Sequence, residues 1–123
     1  MAETETVLLV GQNLFFLGRV ESLAEAGGYE LLRATTEDSF WRLFHRQKPA
    51  LLLVDLEGDE ETWGKVLEGL QSEKQGVKVV AFGPHENVTA LERARGLGCD
   101  LVLNKGEFNR DLPRIFESLG GEE

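Results

Sequence analysis

Asp55 is the residue on which chemistry would be placed in this chain. It closes the run Ala50-Leu51-Leu52-Leu53-Val54, five apolar residues that end on a single carboxylate. A run so short and so apolar reads as a strand buried on both faces, as in a parallel sheet covered by helices. In such sheets ligands bind outside the carboxyl ends of the strands. What a lone carboxylate can do there depends on the groups beside it. Lys105 follows a second short apolar run, Leu101 to Leu103, and supplies a cation at another strand end. His45 and His85 are far apart and lack metal-ligand spacing. Gly11 is followed by Gln12, Asn13 and Leu14, which is no dinucleotide fingerprint.

The elements that must position Asp55 and Lys105 can be read in order. Thr6 to Val10 is a β-rich first strand. Gly11-Gln12-Asn13 stops it, with Asn13 a suitable helix N-cap. The first helix is expected over Leu14 to Ala26, with Phe16, Val20, Leu23 and Ala24 on one face, ended by Gly27-Gly28. Tyr29 to Arg33 is the second strand. Thr35 to Asp38 opens a second helix with acids in its first turn, and Phe40, Leu43 and Phe44 form its apolar stripe. After the Asp55 strand, Gly58-Asp59 turns the chain into a third helix carrying Trp63, Val66, Leu67 and Leu70. Val77 to Phe82 is the fourth strand, stopped by Gly83-Pro84. Val88, Leu91 and Ala94 mark the fourth helix, and Leu101 to Leu103 the fifth strand. Leu112, Ile115, Phe116 and Leu119 mark the last helix, whose first turn should hold Pro113, since a later proline would break it. Five strand-helix alternations imply a five-stranded parallel sheet with right-handed crossovers and helices on both faces.

Length and charge narrow the class. The 123 residues form one domain, residues 1–123 with a core over about 6–119, at 41% apolar and 28% charged residues, a globular balance. A net charge of -9 argues against a nucleic-acid or anionic-membrane surface, where a basic face would be needed. The one cysteine, Cys99, cannot form an internal disulfide and fits a reducing compartment. No segment reaches the roughly 18 apolar residues of a membrane span, and the acidic N-terminus is no signal peptide. The expectation is a cytoplasmic protein.

Three places then line up: Val54-Asp55, Gly98-Cys99-Asp100 before the fifth strand, and Asn104-Lys105 after it. This spacing resembles the receiver domains of two-component response regulators over essentially the whole chain. The resemblance implies a flavodoxin-like (CheY-like) three-layer α/β/α sandwich with strand order 2-1-3-4-5. It also implies that Asp55 matches the family's phosphoacceptor and Lys105 the lysine that contacts the phosphoryl group. Other family positions depart from the pattern. The acidic pair that holds magnesium falls on Gly11 and Gln12, the switch hydroxyl on Gly83, the switch aromatic on Val102, and the proline after the lysine on Gly106. The chain looks like a degenerate, or pseudo-, receiver.

Those losses bear on the chemistry. Phosphorylating a carboxylate brings two anions together, and a divalent cation normally offsets that charge. Gln12 offers one neutral oxygen and Gly11 none. Glu57 could lend a carboxylate, or be a solvated loop acid. Without the cation, Lys105 is the expected permanent ion-pair partner of Asp55. Gly83 and Val102 leave no hydroxyl to move and no ring to swing. Leu14, Phe15, Phe16 and Leu17 are consecutive, and only Phe16 fits the helix stripe. Leu14, Phe15 and Leu17 either plug the emptied pocket or meet a partner; Trp63 is equally open between core and partner.

The first reading is a stand-alone, bacterial, non-enzymatic module that works without phosphorylation or cofactor. It would dock on another signalling protein or on a second copy of itself, through the fourth helix, fifth strand and fifth helix that the family commonly uses. The second is a phosphoacceptor that keeps Asp55 active with an atypical Mg2+ site. The third is a small-molecule binder or small enzyme using the same crevice.

Overall fold

A computed structural model describes residues 4–12, 15–73 and 76–120. Five strands and five helices alternate: β1 (Thr6–Val10), α1 (Leu17–Ala26), β2 (Glu30–Ala34), α2 (Glu37–Arg46), β3 (Leu51–Asp55), α3 (Glu60–Leu70), β4 (Lys78–Gly83), α4 (Val88–Gly96), β5 (Leu101–Asn104) and α5 (Lys105–Gly120). The strands form one parallel sheet in the order β2-β1-β3-β4-β5, the order the resemblance implies. The neighbours of β1 are β2 and β3, so the chain reverses its direction of travel across the sheet after β2. The crevice above β1 and β3 is where such a sheet places a ligand.

The apolar run of β3 is buried throughout because both faces of the sheet are covered. Leu51 and Leu53 point into one core with Val20 and Ala24 of α1 and Leu112 and Phe116 of α5. Leu52 and Val54 point into the other, with Phe40 and Phe44 of α2 and Val66 and Leu67 of α3. The strand's period of two thus feeds both layers, and no position is left for a polar residue until Asp55.

Local signals set the element ends. Thr36 and Ser39 form a reciprocal capping box at the start of α2, and the Asp59 carboxylate accepts from the Thr62 N–H at the start of α3. Gly28, at φ +82°, supplies the left-handed residue after α1.

Two boundaries differ from the sequence expectation. Helix α1 begins at Leu17, and Phe16 occupies its N-cap position without a side-chain bond; Asn13 and Leu14 lie outside the described residues. Helix α5 begins directly at Lys105, so Pro113 sits in its interior rather than its first turn. Asn104 and Glu107 start this helix early. The Asn104 Oδ1 accepts from the Glu107 N–H at 2.8 Å, and a Glu107 carboxylate oxygen accepts from the Asn104 N–H at 2.9 Å, a capping box that outweighs the proline. Pro113 lacks the N–H that would bond the Asn109 carbonyl one turn back. Arg19 of α1 fills that gap, donating to the Asn109 carbonyl at 3.1 Å. The early start also buries Phe108 completely.

Candidate functional site

Asp55 stands at the carboxyl end of β3, 3% exposed. Its Oδ1 accepts a hydrogen bond from the Glu57 backbone N–H at 2.9 Å. Burial pushes the carboxyl pKa up; the Glu57 N–H pulls it back, the Glu57 charge raises it further, and the Lys105 charge lowers it. Withdrawal from water is the leading cause. The site therefore holds a carboxylate whose charge the surroundings do not fully offset.

Lys105 does not make the ion pair with Asp55 that the sequence suggested. Its ammonium pairs instead with the Glu57 carboxylate. The reason is position. Asp55 is sunk at the strand end, while Glu57 emerges two residues later in the loop. Lys105 opens α5 at the same rim, and the two side chains are 33% and 35% exposed. A long ammonium stem meets the acid at the surface at lower desolvation cost than the buried one.

Gly11 closes the other side. It has φ +143°, and a β-carbon built on it would stand 2.7 Å from the Asp55 Cβ and 3.4 Å from its Oδ2. The Asp55 side chain here occupies the space that a side chain at position 11 would need. Gly58 also approaches, its N–H bonded to the Asp55 carbonyl at 3.1 Å. Between Val10, Gly11, Asp55 and Trp63 lies a cavity of about 10 Å³, room for about one water, and beside it an open cleft of about 510 Å³ is lined by Gln12, Glu57, Gly58 and Asp59. Gln12 is exposed at the rim.

The position of the family's switch hydroxyl is tight. A β-carbon on Gly83 would lie 3.1 Å from the Leu56 Cβ. Leu56 is buried; its N–H extends the sheet by bonding the Phe82 carbonyl at 2.8 Å, and its carbonyl accepts from the Trp63 indole at 3.2 Å. Val102 is half-buried in β5, opposite Ala81. Trp63, open between core and partner in the sequence, is core: it is 2% exposed.

The surplus apolar residues divide. Leu14 lies outside the described residues. Leu17 is partly buried against the core shared by α1 and α5. Phe15 plugs nothing: it is 76% exposed and stands edge-on to Phe16 at 4.9 Å between ring centroids.

Magnesium, which the fold family implies, needs about six oxygen ligands, usually including carboxylates. Asp55, Glu57 and Asp59 are the acids at hand; Glu57 is held by Lys105, and the Asp59 carboxylate accepts from the Thr62 N–H and hydroxyl. Among the described residues no group of three acid, histidine or cysteine side chains converges as a metal site. With Gly11 against Asp55, the residues present do not fit the ion. Nor, among the described residues, is any helix long and apolar enough to cross a membrane.

No protein-family model matches the sequence. Over 118 residues, 94% of this chain and 94% of the relative, it is 25% identical to the polar-differentiation response regulator DivK of Brucella ovis, and equally to that of Brucella melitensis. Among solved structures it is similar to the receiver domain of the TMAO respiratory system response regulator TorR, with a TM-score of 0.78 at 16% identity over 94% of this chain and 95% of that one. A putative response regulator from Chloroflexus aurantiacus gives 0.77 at 14% over 95% and 98%. The beryllofluoride-activated NtrC4 receiver domain dimer gives 0.71 at 16% over 94% and 98%. The sheet order, the strand-end placement of Asp55 and Lys105, and the similarity to DivK over nearly the whole chain agree: the chain has the CheY-like receiver fold and is similar to response regulators.

Proposed function

We propose that this receiver domain signals as a protein-docking module without being phosphorylated on Asp55 and without magnesium. The observation that carries this reading is the seating of Gly11 against Asp55: a β-carbon there would fall 2.7 Å from the Asp55 Cβ, so position 11 brings no carboxylate to the site. A phosphoryl group on Asp55 would need a cation to offset its charge, and the residues at hand are a poor fit for one. The Glu57–Lys105 ion pair adds to the argument, because Lys105, the lysine that would meet a phosphoryl group, is already engaged with a fixed anion. With Leu56 against Gly83, a change at Asp55 has no hydroxyl to draw inward. In this reading Asp55 is a structural acceptor for the Glu57 N–H, and the domain is held in one conformation for its partner.

Beryllofluoride with magnesium tests it. This phosphoryl mimic should leave the amide ¹H–¹⁵N spectrum unchanged at Asp55, Glu57, Gly83 and Lys105. Saturable shifts at those positions, absent in Asp55→Asn, would contradict the proposal. They would favour the second reading, a phosphoacceptor with an atypical metal site, for which the strand-end Asp55 and Lys105 speak.

A further inference from the structure

Arg93 of α4 reaches across α3. Glu60, Gly64 and Glu68 are spaced by four along α3, so they form one row on its surface. The guanidinium rests on the middle of that row. A β-carbon on Gly64 would stand 2.6 Å from the Arg93 Nη2 and 2.9 Å from its Cζ, so the missing side chain at position 64 is what makes the seat. The two acids close its ends: the Arg93 Nη1 donates to a Glu60 carboxylate oxygen at 2.9 Å, and the Nη2 pairs with one of Glu68 at 3.5 Å. The Arg93 Cζ also stands 5.3 Å from the centroid of the Trp63 ring, within cation–π range.

Helix α4 is lightly anchored by its own apolar face. It buries Ala90, Leu91 and Ala94, two of them alanines, whereas α3 buries Trp63, Val66, Leu67 and Leu70. A helix that buries little apolar surface opens locally at low cost, so a polar contact weighs more in holding it. Trp63 ties the far end of that contact to the sheet. It is core, and its indole N–H donates to the carbonyl of Leu56 at 3.2 Å, one residue past Asp55. Arg93 thus joins α4 to the helix that is itself bonded to the Asp55 strand end. Either ion pair alone would be weak, since both acids are more than half exposed. The flat seat, the ring and an acid at each end together fix one arrangement of a planar group.

We infer that Arg93 is a latch that holds α4 on α3, closed in the seat that Gly64 leaves open. This rests on, and deepens, the reading of the domain as held in one conformation, because it names the contact that sets where α4 stands. The latch needs both the guanidinium and the bare helix surface beneath it. A lysine at position 93 would keep the charge but not the planar group that lies on the glycine and meets two acids and a ring at once. A side chain at position 64 would keep the arginine but unseat it.

The test is native-state amide hydrogen exchange of the full chain, read residue by residue by NMR without phosphodonor or metal, in the wild type, Arg93→Met, Arg93→Lys and Gly64→Ala. Arg93→Met should speed exchange at Leu91 to Gly96 of α4 by about tenfold beyond any change in β3, the signature of local opening. Arg93→Lys should not restore the protection. Gly64→Ala should loosen α4 in the same way with the Arg93 charge intact, while α3 exchanges no faster, since alanine favours a helix over glycine. Unchanged α4 exchange in either Arg93→Met or Gly64→Ala would overturn the proposal. So would an equal rise in every element, which would make Arg93 a contributor to global stability alone, or full protection of α4 in Arg93→Lys, which would leave charge as the whole cause. Failure here is separable from failure of the proposed function. Phosphorylation of Asp55 by acetyl phosphate with α4 loosened in both variants would remove the latter alone; an unphosphorylated Asp55 with α4 unchanged in both would remove the former alone.

Discussion

Gly11 lies against Asp55 so closely that a β-carbon on the glycine would fall 2.7 Å from the Asp55 Cβ. Its φ of +143° is also one that residues with side chains rarely adopt. Gly11→Ala should therefore destabilise the domain by about 2–4 kcal/mol, combining overpacking with backbone strain. Gly11→Asp, which restores the family's acid, should cost at least as much. Urea unfolding midpoints measure both. An unchanged midpoint in Gly11→Ala would mean that the loop relaxes and that the closure of the site is soft.

Asp55 is buried, and its raised pKa means that the folded state binds its proton more tightly than the unfolded chain does. The folded state then holds more protons across the window from the ordinary carboxylate value of about 3.9 up to the raised value. Stability falls as pH rises through that window. The ionised carboxylate is thus a destabilising group at neutral pH. Asp55→Asn, which keeps an oxygen for the Glu57 N–H, should raise the melting temperature by a few degrees at pH 7. The gain should shrink as pH falls through the raised pKa, because the wild-type carboxyl then becomes neutral too. Thermal unfolding of the two proteins across pH checks the sign. A lower melting temperature for Asp55→Asn at pH 7 would mean that the charge is well compensated.

Glu57 and Lys105 act on Asp55 in opposite directions. Glu57→Gln removes an anion beside Asp55 and should lower its titration midpoint; Lys105→Met should raise it. The pair itself is a third exposed, so either change should cost the fold only about 0.5–1 kcal/mol. Carbon-detected NMR titration of the Asp55 carboxyl reads the direction. A fall in the Lys105→Met midpoint would overturn the assignment.

The Arg19 bond to Asn109 compensates for Pro113. Arg19→Met should cost about 1 kcal/mol by leaving that carbonyl short of a donor. In a Pro113→Ala background the new N–H reaches the same carbonyl, so the cost should largely vanish. A double-mutant cycle measures the coupling. Additive effects would show that the guanidinium contributes nothing to the helix.

These relationships mark where the sequence could be read and where it could not. The β3 run and Asp55 were legible because a strand covered on both faces admits no polar residue until it reaches the rim. The partner of Lys105 was not. Asp55 and Glu57 are two residues apart, and choosing between them depends on depth, which spacing does not encode. The closure by Gly11 was half legible: the missing acid was plain, but a φ of +143° and the close approach to Asp55 are set by tertiary structure. For α5, the residues Asn104 and Glu107 held a capping signature, and Phe108, Leu112, Ile115 and Phe116 a helical stripe. Pro113 drew the expected start too late because the donor that replaces its N–H comes from another helix. Phe15 could not be placed from a run of four apolar residues, since that run hides where the first turn of α1 begins.

Intact mass spectrometry after incubation with acetyl phosphate, with and without magnesium, tests the central claim most directly. The account predicts an unchanged mass in both conditions. A magnesium-dependent gain of one phosphoryl group, lost in Asp55→Asn, would contradict it and make the domain a phosphoacceptor.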